Sequence, residues 1–199
     1  SSRRPDRKSR LFVVAVGVGD YADNKLNLST AGSDAKALAD LLQRRSGPLY
    51  ERVDVVPLSG KDATRARIKE TVLDVANLSQ PQDTVMLLVC GRGTLAGEHL
   101  YMAPQDFRLG PGGLENDFRE KGFDGDELAA LLGTARAINR IVEAAFRRAD
   151  LATLSAESVA DLLAQLIEMI RADPVVTKVL ADEVDLLGPL LADPAEMID

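Results

Sequence analysis

Tryptophan is absent from this 199-residue chain, and cysteine and histidine occur once each, as Cys90 and His99. A lone cysteine excludes an internal disulfide framework and a cysteine-rich zinc site, and it fits a reducing cytoplasm. A lone histidine argues in the same way against a histidine-based metal centre, so neither metal nor cofactor is expected. Long apolar runs are missing too: no stretch approaches the roughly 20 residues of a membrane span. The basic start, SSRRPDRKSR, is followed by no apolar region of signal type. Residues 1–10 read as a solvated linker, expected to join this piece to a longer protein. A broad basic face is also lacking, which together with the missing tryptophan speaks against nucleic-acid binding.

Hydrophobic residues, by contrast, make up 46% of the chain, enough for a substantial core and too many for a disordered polymer. The net charge of −7 is unevenly spread. Residues 150–199 carry eleven Asp/Glu against Arg171 and Lys178, a balance of −9, so the preceding 149 residues sum to +2. An acidic tail of this kind reads as a solvated helical surface, or more pointedly as a contact for a basic partner. Alanine and arginine are common and lysine is scarce, a composition that suits a GC-rich bacterium.

The pattern of elements is clearest in the first half. LFVVAVGV (11–18) is a continuous β-branched apolar run, the signature of a strand buried on both faces of a parallel sheet. SDAKALADLLQRR places Ala35, Leu38, Leu41 and Leu42 at helical spacing, with Ser33 or Asp34 available as N-cap. RVDVVPL (52–58) alternates as a short strand. A second helix follows, capped by Thr64, with Ile68, Val72, Val75 and Ala76 on one face. A third strand, TVMLLVC (84–90), ends in Gly91, Arg92 and Gly93. The order β-α-β-α-β with short connections predicts an α/β sandwich with a mostly parallel sheet. Ligands of such sheets bind beyond the carboxyl ends of the strands, here at Gly17–Tyr21 and Cys90–Gly93.

Further on, residues 97–107 read as a short strand running into a turn at Pro104, and LGPGGLENDFREKGFDGD as a long charged loop. DELAALLGTA reads as a short helix capped by Asp124 or Asp126. Periodicity leaves residues 137–146 open between strand and helix. From Ser155 an apolar stripe through Val159, Leu162, Leu163, Leu166, Ile167 and Ile170 predicts a helix ending at Ala172-Asp173-Pro174. Pro174 suits the first turn of another helix, and a last one is expected through Leu186, Leu187 and Leu190. The expected domains are therefore a linker (1–10), an α/β domain (11–149) and an acidic helical extension (150–199).

GVGDYA (17–22) matches a dinucleotide fingerprint in form. That motif works by starting a helix inside itself, so that the helix N-terminus faces the pyrophosphate. Here DNKLNLST follows instead, and a nucleotide site on this turn stays a minor alternative.

Four stretches together resemble the caspase-like fold of clan CD cysteine peptidases (peptidase C14), above all its bacterial metacaspase-like members: FVVAVGVGDYADNKLNLSTAGSDAKALADLL, DATRARIKETV, DTVMLLVCGRG and HLYMAPQDF. The resemblance implies a caspase-like α/β/α sandwich, here truncated, with an α-helical C-terminal extension. It covers residues 10–107 and, less directly, 123–146. The family pattern ends one strand in Gly-His-Gly and another in Asp, a small residue, Cys, then Ser-Gly, so that a histidine serves a thiolate.

In CGRG, Arg92 stands at the histidine position. Guanidinium has five donors, no acceptor and a pKa above about 12, so it cannot act as a base near neutral pH. If RIVEAAF (140–146) is the second catalytic strand, Glu143 falls at the Asp position and Ala145 at the cysteine, with Arg147 and Arg148 in place of Ser-Gly. Arg92 and the missing Ser-Gly favour natural loss over an engineered alanine. Strands that normally follow the cysteine are replaced by helix-like sequence, so the sheet edge would be covered by the acidic helices or by another chain. Asp34 matches a position that lines a pocket for a basic residue in metacaspase-like members; its other role is the helix cap, and Arg92 could reach it from within.

The expected function is a catalytically inactive caspase-like module in a bacterial multidomain protein or complex. It would act by binding a protein partner or itself through the sheet edge and helical tail, with Asp34, Arg92, Gly91 and Gly93 as the binding set and no membrane or nucleic-acid partner. The alternative from another class is an active cysteine peptidase, using Cys90 with His99 as fallback dyad or completed by a partner. Asp124 and Asp126 are a further pair for which calcium and capping roles compete.

Overall fold

A computed structural model describes residues 9–148, 165–174 and 176–177. The chain divides into two compact units, Ser1–Leu132 and Gly133–Asp199. In the first, three parallel strands stand in the order β2-β1-β3, with β1 spanning Arg10–Gly17, β2 Arg52–Ser59 and β3 Thr84–Cys90. A second sheet is antiparallel, in the order β4-β5-β6, from Gly93–Ala96, His99–Met102 and Phe123–Asp124. Helices α1 (Ala31–Arg45) and α2 (Arg65–Leu78) form the two connections within the parallel sheet. The expected α/β architecture with a parallel sheet is what the chain forms.

β1 is central because its sequence permits nothing else. Leu11 through Val16 are at most 2% exposed, and such a run can satisfy its backbone in a sheet only with a strand on each side. Alternation then sorts its side chains. Phe12, Val14 and Val16 join Ile68, Val72 and Val75 of α2, whereas Leu11, Val13 and Ala15 pack with Ala39 of α1. Burying each of these valines and leucines contributes roughly 1.5–3 kcal/mol. β2 takes an edge, where Pro57, which has no N–H to donate, is tolerated. Thr64 caps α2 as expected, accepting from the Arg67 amide at 3.3 Å.

Three local expectations are corrected. The segment read as a loop contains α3, Leu114–Lys121. Its i,i+4 pairs, Glu115 with Arg119 at 2.8 Å and Asp117 with Lys121 at 2.5 Å, support a short helix. The buried ring of Phe118 stacks obliquely on Phe107 at 4.5 Å and pins it. Second, α1 begins at Ala31 after Thr30, and the Asp34 amide already donates to the Thr30 carbonyl at 2.8 Å. Neither Ser33 nor Asp34 is the cap; Asp34 sits one turn in, where a carboxylate still favours the helix dipole.

The third correction matters most for function. Residues 137–146, open between strand and helix and used above as a strand, belong to α4, a 24-residue helix over Gly125–Arg148. Asp124 starts it, accepting from the Glu127 amide at 2.6 Å. From Asp126 to Arg148 no proline interrupts a stretch rich in alanine, leucine, arginine and glutamate, so the helix continues through the few β-branched residues. Glu127 takes both Arg65 (3.0 Å) and Lys69, which ties the start of α4 to α2.

In the second unit, residues 165–172 are helical, ending where Ala172-Asp173-Pro174 predicts. Asp173 accepts from the Val176 amide at 3.4 Å and pairs with Arg140 at 3.2 Å. The remaining tail, including Val159, Leu162, Leu163 and the expected helix near Leu186, lies outside the described residues. Among the described residues no helix is long and apolar enough to cross a membrane.

Candidate functional site

β1 and β3 are parallel and in register, with Gly17 opposite Cys90, so both strands end side by side. The segment after β1 folds back over that end. The Val18 amide donates to the Cys90 carbonyl at 2.8 Å, and the Leu28 amide to the Gly19 carbonyl at 2.8 Å. The Tyr21 amide donates to Asn27 Oδ1 at 2.9 Å. Tyr21 itself is buried, and its hydroxyl accepts the Arg92 amide at 2.6 Å. Burial pushes its phenol pKa up, against a smaller pull downward from the Arg92 amide and guanidinium. Gly91 fits beneath that hydroxyl because a Cβ there would stand 2.9 Å from Tyr21 Oη. Gly93 opens β4, paired with Met102.

The Arg92 side chain closes the same loop. Nε donates to the Leu26 carbonyl at 3.0 Å and Nη2 to the Asn27 carbonyl at 3.5 Å. A group with donors only is matched here by acceptors only. Arg92 therefore holds the loop after β1, in place of the reach toward Asp34 that the sequence left open. Asp34 is exposed on the first turn of α1.

Cys90 faces the other way from His99. Strand alternation puts Val89 and Leu87 with the α2-side core and Cys90 with Gly17 on the α1 side. Burial raises the thiol pKa, and the Asp34 carboxylate raises it further. His99 lies on the hairpin across the opposite face, with Nδ1 3.4 Å from Asp126 Oδ2 and 3.8 Å from Asp124 Oδ2. The fallback pair of Cys90 and His99 is thus separated by the sheet itself.

His99 opens onto a cleft of about 390 Å³, floored by Leu87, Val89, Met102 and Phe123 and rimmed by acidic side chains. Asp124 in that rim is the α4 cap, and among the described residues no group of His, Cys, Asp and Glu could hold a metal ion. The cleft escapes a linear reading because its wall at residues 123–126 comes to β3 only through the pairing of β6 with β5. Tyr21 escapes it too, although a buried tyrosine in a polar loop always needs a partner for its hydroxyl.

Two site expectations lose their structural basis. With residues 140–146 helical, Glu143 and Ala145 stand on α4 and on no strand end. GVGDYA leads into a short 3-10 turn at Asn24–Leu26, and the next α-helix begins only at Ala31. No helix N-terminus lies within the motif to receive a pyrophosphate.

No curated protein matches the chain. A caspase-domain family model of the peptidase C14 type matches residues 10–168, taking in the parallel sheet, the strand end at CGRG and the hairpin beyond it, and the chain belongs to that family.

Proposed function

We propose that this is a caspase domain that binds and does not cut, a regulatory or scaffold module of a bacterial multidomain protein or complex in the cytoplasm. One observation carries it. At the strand end where the family resemblance places a histidine, Arg92 is engaged through its guanidinium with the Leu26 and Asn27 carbonyls. A guanidinium so placed neither accepts a proton from a thiol nor returns one to a leaving amine. The lone thiol supports the same conclusion, since Cys90 is pushed toward its protonated form by burial and by Asp34, whereas catalytic thiols are held ionised by nearby positive charge.

The test is covalent labelling. The protein is incubated with electrophilic peptide probes carrying Arg, Lys or Asp at the first position, with and without calcium, and its intact mass is measured. No adduct and no turnover of a peptide library are expected. A stoichiometric adduct that disappears in Cys90→Ser overturns the proposal.

A further inference from the structure

We draw no further inference here: the strongest candidate, the cleft beside β3 with Leu87 and Val89 in its floor and Glu98, Asp124 and Asp126 on its rim, carries none, because nothing among the described residues shows what covers it.

Discussion

The reactivity of Cys90 is the sharpest check on a non-catalytic caspase domain, because it is the only thiol the chain could use. An ordinary cysteine with a pKa of about 8.5 is about 3% thiolate at pH 7. Burial first and Asp34 second both raise the Cys90 value, so its thiolate fraction lies below that figure. A catalytic thiol in an electropositive site, with a pKa between about 3.5 and 7.5, would be largely ionised at the same pH. Asp34→Asn removes the smaller of the two causes. A charge acting from an exposed position is worth at most about 1 kcal/mol, a factor of about five in the ionised fraction. Iodoacetamide alkylation followed by intact mass, from pH 6 to 10, is therefore expected to rise steadily with pH for the wild type. In Asp34→Asn it is expected to run faster at pH 7 by no more than about fivefold, with burial still holding the thiol protonated. A wild-type rate that is already flat between pH 6 and 8 would refute the reasoning, because it requires a thiolate that neither burial nor Asp34 permits.

Five further outcomes are expected. Arg92→His combined with Ala145→Cys yields no peptidase activity on a fluorogenic peptide library, because residue 145 stands on a helix; measurable turnover counts against that placement. Tyr21→Phe leaves the Arg92 amide without its acceptor and lowers stability by about 1–3 kcal/mol in urea denaturation. A Cβ on Gly17 would lie 2.7 Å from Gly32 Cα and 2.9 Å from the Ala31 carbonyl, so Gly17→Ala costs about 1–3 kcal/mol. Gly32→Ala meets nothing closer than the Gly17 carbonyl at 4.0 Å, and its melting temperature stays level or rises, by at most about 1 kcal/mol of stability. Asp117 is held below the usual carboxylate range by the Lys121 ammonium and the Gly110 amide. A carboxylate with a depressed folded pKa stabilises above its unfolded value, near 3.9, and loses that contribution as pH falls through the folded value. The gap in urea midpoint between wild type and Asp117→Asn is thus expected to hold steady above about pH 5 and to narrow below about pH 4.

The chain itself determined the elements whose cause is local. The run from Leu11 to Val16 is too apolar to be anything but a central strand, Thr64 starts a helix by its own hydroxyl, and β3 stops at Cys90 because glycines follow. The strangeness of Arg92 is equally plain, since no fold can make a guanidinium accept a proton. What tertiary structure decided are relations between distant residues. The face that Cys90 presents follows from its register against Gly17, the cleft from the pairing that brings Phe123 and Asp124 beside the hairpin, and the Arg92 clamp from carbonyls 66 and 65 residues away. The helix over 137–146 belongs with them, because an Ala-rich stretch holding Ile138, Ile141 and Val142 has no single preference of its own. The Asp124 cap and the turns before it carry the helix through. Side-chain pattern specifies what a segment can be, but only pairing and packing choose which face meets which.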